Sequence, residues 1–198
     1  MTKLNADLSA LKAATWHCTP PSWSLDETLR VTTGSKTDFW QGTYYGFHRD
    51  DGHFLGLPVS GDFTAVLTFN GAYETLYDQA GLMLRVNENH WLKTGVEFSD
   101  GMTNFSTVVT RNNSDWSATQ RPMVSGPQSV RLTRIGSAIL IHFKDENGMW
   151  QFLRLADFPA PEEVLIGPIA CSPERAGFEA EFTSFTIGPV IGNPLHSD

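Results

Sequence analysis

Two alternating runs separated by a turn constrain this chain more than any other feature. The first leads from Tyr77-Asp78 into Gln79-Ala80-Gly81-Leu82-Met83-Leu84-Arg85-Val86, and the second is Trp91-Leu92-Lys93-Thr94-Gly95-Val96-Glu97-Phe98. Apolar and polar residues exchange every second position, which is the period of a strand and not of a helix. Between the runs, Asn87-Glu88-Asn89-His90 is turn chemistry, because asparagine tolerates the left-handed backbone and bonds its own main chain. Successive side chains of a strand point to opposite faces. One face therefore collects Ala80, Leu82, Leu84, Val86, Leu92, Thr94, Val96 and Phe98, and is expected to be core. The other carries Gln79, Met83, Arg85, Trp91, Lys93 and Glu97. A three-residue loop, Asn87 to Asn89, sets Gln79 opposite Glu97 and Met83 opposite Lys93.

The rest of the chain repeats the strand pattern. Asp62 to Phe69, Phe105 to Arg111, Val130 to Ile135, Ala138 to Phe143, Met149 to Leu155, Val164 to Cys171 and Ala176 to Ile187 all read as strands, with Gly136-Ser137 a tight hairpin turn. His48 to His53 reads as a loop, and Asn112 to Gln120 as a loop with a short strand. Asp7 to Ala14 is the one helical candidate, with Leu8 and Leu11 at helical spacing; Thr19-Pro20-Pro21 ends it. Short strands at regular spacing predict an all-β, two-sheet antiparallel sandwich with very little helix. No linker or repeat divides it, so the expected organisation is an N-terminal arm or short helix over residues 1–22 and one domain over 23–198.

Charge narrows the function classes. The 198 residues carry a formal net charge of −8 and no Lys/Arg cluster, which disfavours nucleic acid and anionic membrane as partners. Met1 to Ala14 lacks an apolar core of signal-peptide length, and no segment approaches the roughly 20 apolar residues of a membrane span. The two cysteines, Cys18 and Cys171, allow one bridge at most, and reduced thiols in a cytoplasmic protein are the expectation.

Several longer motifs carry a family resemblance. Thr37-Asp38-Phe39-Trp40, Thr43-Tyr44-Tyr45-Gly46-Phe47, Leu76 to Met83, Lys93-x-Gly95-Val96-Glu97-Phe98, Val108 to Arg111 with Ser114-Asp115-Trp116, and Ala170 to Phe178 together resemble the regulation-of-enolase-type family of uncharacterised domains. The resemblance extends from about Trp23 to Ile187. It implies a concanavalin A-like jelly roll with one concave sheet, of the kind that holds sugar in lectins and glucanases. It also implies a link to enolase and sugar metabolism, and supplies no catalytic residues.

The best candidate binding face joins Gln79, Arg85, Trp91, Lys93 and Glu97, with Asp78 beside them; Asp38, Trp40, Tyr44 and His53 are expected at one end of the same groove. The competing reading is a cross-strand ladder of ion pairs and amides on a solvated sheet. Glycosidases need two carboxylates roughly 5–5.5 Å or 6.5–9.5 Å apart. Glucanases of this fold place theirs in a Glu-x-Asp-x-x-Glu motif, which is absent here. Glu179-Ala180-Glu181 reads as an outer face with Phe178 and Phe182 turned inward. Glu97 stands alone on its face. Cys171 near Arg175 reads either as an activated thiol or, more simply, as part of a loop whose arginine meets a buried carboxylate. The histidines show no metal-ligand spacing, so neither a metal nor a cofactor is expected. The expected function is thus a non-enzymatic binding or regulatory protein whose ligand is a carbohydrate, a sugar phosphate or another metabolite, or whose partner is enolase or another cytosolic protein. A glycoside hydrolase or lyase working through Glu97 is the alternative, and a purely structural or assembly role the third.

Overall fold

The computed structural model describes residues 8–121 and 126–196. Strands are numbered in chain order. The first sheet runs β1 (Thr15–His17), β6 (His53–Ser60), β15 (Glu163–Cys171), β8 (Gln79–Asn87), β9 (His90–Ser99), β10 (Met102–Arg111), β11 (Asn113–Arg121). The second runs β14 (Trp150–Asp157), β13 (Ala138–Lys144), β12 (Gln128–Ile135), β7 (Phe63–Gly71), β16 (Glu179–Gly188), β3 (Leu29–Thr32), β2 (Ser22–Leu25). A separate two-stranded ribbon pairs β4 (Phe39–Gln41) with β5 (His48–Asp50). Within each sheet the neighbouring strands are antiparallel, for example β8 with β9 and β16 with β7. The protein is the two-sheet jelly roll that the strand pattern predicts.

The core lies between the sheets and is assembled from one face of each strand. Ala80, Leu82, Leu84, Leu92 and Val96 join Leu67, Phe69, Leu132, Ile141 and Phe182 there. Pairing on β8 and β9 sets Gln79 opposite Glu97 and Met83 opposite Lys93. The turn that produces this register differs from the expected one. The chain reverses at Glu88-Asn89, and an irregularity between Arg85 and Asn87 absorbs the extra residue. In the middle of the hairpin Gly81 faces Gly95, and a Cβ on either would lie 2.6 Å from the other's Cα. Only glycine fits such an approach.

Four local expectations are corrected. Of the expected Asp7–Ala14 helix, Asp7 lies outside the described residues and the rest is a 3-10 turn, Ser9–Ala13, where Leu8 and Leu11 join the core edge. Asn112 to Gln120, expected as a loop with a short strand, belongs from Asn113 onward to the edge strand β11, whose hydrogen bonds to β10 override its weak apolar pattern. His48 to His53 contributes strand β5, a turn at Asp51-Gly52 and the start of β6. The outer face of the first sheet is also not open along its length. The β4–β5 ribbon lies over it, and Phe39 and Trp40 pack with Phe54, Met83, Trp91, Val108, Ile169 and Cys171 into a second apolar cluster. A solvated ladder on this face is thereby excluded, since Met83 and Trp91 are fully buried.

Candidate functional site

The ribbon covers the outer face only in part, and beside it lies a pocket of about 170 Å3. Its floor comes from alternate positions of the hairpin, Gln79 on β8 and Lys93 and Glu97 on β9, with Asp38 from the segment entering β4. Its walls are aromatic: Trp40, Tyr45, Phe47, Tyr77 and Trp116. Pro173 and Glu174 close the remaining side.

Most of the floor is already satisfied internally. The Lys93 ammonium donates to Asp38 Oδ1 at 3.1 Å, to the Phe39 carbonyl at 2.8 Å and to Gln79 Oε1 at 2.7 Å. An ammonium has three donors, so all are used. Burial opposes its charge, but Asp38 foremost among its neighbours more than restores it, and the Lys93 pKa is raised. Asp38 Oδ1 additionally accepts from its neighbour Phe39 N at 2.7 Å and from Gln79 Nε2 at 3.4 Å. Gln79 Nε2 also reaches the Tyr77 carbonyl at 3.2 Å.

Glu97 is different. It is 6% exposed, and among the described residues no group donates a hydrogen bond to its carboxylate. Burial pushes its pKa up to about 7; the Lys93 charge offsets part of that, and Asp38 adds to it. A buried carboxylate without a donor is costly. Here it faces a cavity.

The walls owe their arrangement to the loop between β4 and β5. Gly42, Tyr44 and Gly46 have left-handed φ values of 67°, 63° and 73°, which fold Thr43–Phe47 back on itself. The Trp40 indole N–H is tied to the Thr43 carbonyl at 2.9 Å, and the Tyr45 and Tyr77 hydroxyls meet at 2.8 Å. Trp40 and Tyr45 cross at 73° with ring centroids 5.7 Å apart, forming an aromatic corner; Phe47 stacks on Tyr45 at 5.3 Å.

Of the residues singled out in the sequence, Gln79, Lys93, Glu97, Asp38 and Trp40 line this pocket together. The others lie elsewhere. Arg85 forms a bidentate pair with Asp50 at 2.7 and 2.8 Å under the β4–β5 ribbon. Trp91 is buried in the second cluster, with its N–H on the Glu88 carbonyl at 3.0 Å. Asp78, fully buried, accepts from Arg175 Nη2 at 2.6 Å and from the Glu74 and Thr75 amides at 3.1 and 2.9 Å. His53 joins Gly34 N at 2.9 Å and the Cys18 carbonyl at 2.8 Å, and burial lowers its pKa. Tyr44 points outward, 93% exposed.

Sequence reasoning missed Tyr45, Phe47, Tyr77, Trp116 and Glu174. The aromatic, glycine-punctuated run was the available signal for the first two. The left-handed turn at Tyr44 decides which of the adjacent tyrosines faces in, and strand alternation does not reveal it.

Other chemistries are not supported. Cys171 is buried and burial pushes its thiol far up, while Arg175 is engaged by Asp78, so the activated-thiol reading is overturned. Both cysteines are free. Glu181 pairs with Arg30 and Thr28 at 3.0 Å on the outer side of β16, opposite the buried Phe182. Among the described residues, no group of three or more His, Cys, Asp or Glu side chains is placed to hold a metal ion.

The two antiparallel sheets packed face to face define the class as a jelly-roll β-sandwich domain, with a small aromatic-walled pocket on one outer sheet face. The chain belongs to the family described as "Protein of unknown function (DUF1349)", whose pattern matches residues 16–190. It is 41% identical over 188 residues to Regulation of enolase protein 1 of Saccharomyces cerevisiae, with 94% of each chain covered. Its structure is similar to a crystal structure described as a functionally unknown protein from Saccharomyces cerevisiae, at a TM-score of 0.86 and 39% identity, over 93% of this chain and 100% of that one. It also resembles in fold the GH43 protein BlXynB from Bacillus licheniformis, at a TM-score of 0.69 and 16% identity, over 96% of this chain and 40% of that one. The family anticipated from the motifs is the family found.

Proposed function

We propose that this protein acts by binding rather than turnover, and that the pocket over Glu97 is its ligand site. The observation that carries the reading is the unpartnered, nine-tenths-buried Glu97 carboxylate at the base of an aromatic-walled cavity. Ligand pockets characteristically combine apolar walls with a few convergent polar groups. The relative named for regulation of enolase supports a regulatory role near sugar metabolism. A cytoplasmic location fits that role, and among the described residues no helix is long and apolar enough to cross a membrane.

The hydrolase alternative has one observation in its favour: Glu97, held near 7, is suited to a general acid. The carboxylate that acts on Glu97 electrostatically, Asp38, has its Oδ1 committed to Lys93, the Phe39 amide and Gln79, which argues against a free base or nucleophile.

A thermal-shift screen of wild type and Glu97→Ala against neutral sugars, sugar phosphates, glycolytic intermediates and small amines tests the proposal. A ligand at 100 times its Kd adds about 2.7 kcal/mol of stability, visible as a raised Tm. Shifts lost in the variant support it. A turnover assay on an oligosaccharide panel that detects cleavage abolished by Glu97→Gln would replace binding with catalysis. If no compound shifts the wild type but enolase is retained on the immobilised protein, a protein partner replaces the small-molecule site.

A further inference from the structure

The state of each polar group in the pocket specifies what the ligand must bring. The Lys93 ammonium has its three hydrogen bonds, Gln79 is engaged through both ends of its amide, and the Trp40 N–H is tied to Thr43. The floor therefore presents no spare ammonium or amide donor, and Trp40 no spare indole N–H, to a phosphate or to sugar oxygens. It does present negative charge. Asp38 is matched by Lys93, whereas among the described residues neither Glu97 nor Glu174 enters an ion pair, and both line the cavity. Around them stand aromatic rings, with Trp40 and Tyr45 set at 73° to each other. Carboxylates inside a corner of aromatic rings attract a cation with little hydration, because the ring quadrupole is negative over its faces.

We propose that this pocket holds an alkylated ammonium group, with Glu97 as its counter-ion and Trp40, Tyr45 and Trp116 as cation–π walls. This rests on reading the pocket as a ligand site. A cavity of about 170 Å3 suits one compact head group and not an oligosaccharide. The group belongs either to a free small molecule or to a methylated lysine side chain; the pocket chemistry is the same for both. Anionic sugar phosphates are repelled by Glu97 and Glu174.

The charge on Glu97 makes the binding pH-dependent. Facing it are Lys93 on its own strand, Gln79 across the hairpin, Asp38 from the β4 side, Asn104 opposite on β10, and Tyr77 with its hydroxyl partner Tyr45. Glu174 lines the same cavity. Lys93 and Tyr77 are held above their ordinary values, so Glu97 is the group that gains charge near neutrality, and the cation binds better as pH rises through about 7.

Calorimetric titration of the full chain provides the test. The probes are choline, its neutral carbon isostere 3,3-dimethylbutanol, peptides with trimethylated or unmodified lysine, methyl glucoside and inorganic phosphate. The expected result is choline or the trimethylated peptide binding at least ~10-fold tighter than its neutral or unmodified counterpart. Affinity is expected to rise ~10-fold from pH 6 to pH 8 as Glu97 ionises. Glu97→Gln is expected to lose at least ~10-fold, Trp116→Ala several-fold, and the distant Glu163→Gln nothing. A tighter trimethylated peptide assigns the group to a protein partner, a tighter choline to a free metabolite. Equal binding of choline and its isostere overturns the inference. Glu97-dependent binding of methyl glucoside without any cation binding also overturns it while leaving the ligand site intact. No binding of any probe by the folded wild type overturns both.

Discussion

Asp78 and Glu97 are backbone neighbours across one hairpin, Phe98 N donating to the Asp78 carbonyl, and both side chains are buried. Their surroundings are opposite. Asp78 receives two backbone amides and the Arg175 guanidinium. Among the described residues no group donates a hydrogen bond to the Glu97 carboxylate, and burial lifts its pKa to about 7. The first arrangement locks the Ser172–Arg175 loop to the sheet and leaves no bonding capacity for a ligand. The second holds capacity in reserve at a net cost to folding. Burial alone therefore does not separate a carboxylate locked into the fold from one left open to a cavity; the state of their hydrogen bonds does.

Substitutions break this comparison in graded ways. The largest effect is expected from Asp78→Ala, which removes the fully buried acceptor of Arg175 and of the Glu74 and Thr75 amides, and from Lys93→Met, which strands Asp38. Removing one member of a buried pair costs about 3–5 kcal/mol. For a chain of this size that lowers Tm by roughly 10 °C, measurable by calorimetry.

Glu97→Gln is expected to act in the other direction. Because the folded pKa lies above the unfolded one, the protonated form stabilises the fold fully below the ordinary carboxylate range. That contribution is lost as pH rises through about 7. Wild type thus carries a penalty of about 3 kcal/mol at pH 8, which the neutral amide removes. The signature is a wild-type-minus-variant stability difference that changes between pH 4.5 and 8 and is flat above. Using the difference cancels the titration of buried histidines such as His53 and His142. Equal pH profiles for the two proteins would show that Glu97 is not buried unpaired.

Smaller effects sharpen the picture of the walls. Tyr45→Phe breaks the hydroxyl contact with Tyr77 and is expected to cost about 1 kcal/mol in urea unfolding. Tyr44→Ala, at an exposed tip, is expected to stay within about 0.5 kcal/mol of wild type.

How much of this was legible in the sequence follows from which interactions are local. The alternation over Gln79–Val86 and Trp91–Phe98 marks the strands, their core face and the Gln79–Glu97 and Met83–Lys93 oppositions, because strand period is a local property; the turn is two residues and not three, and the irregularity between Arg85 and Asn87 restores the same register. It also isolated Glu97. The covering of the outer face was not legible. Phe39–Gln41 and His48–Asp50 are three-residue strands separated by a left-handed loop, and their partners Met83, Trp91 and Cys171 lie far along the chain. Arg85 and Trp91 share the strand face of Glu97 yet lie beneath that ribbon, which periodicity alone does not distinguish. Trp116 is visible in the sequence only as part of a family motif and not as a pocket wall, because Asn113–Arg121 has little apolar pattern and becomes a strand through its pairing with β10.

Whether Glu97 is a buried carboxylate held for a cation can be read at its own carboxyl group. Carbon-detected NMR titration of its side-chain carboxyl, with assignment by Glu97→Gln, measures this directly. The account predicts a midpoint near 7 in the free protein that falls when choline is added. A midpoint near the ordinary ~4.3 of a glutamate, unchanged by choline, would contradict it.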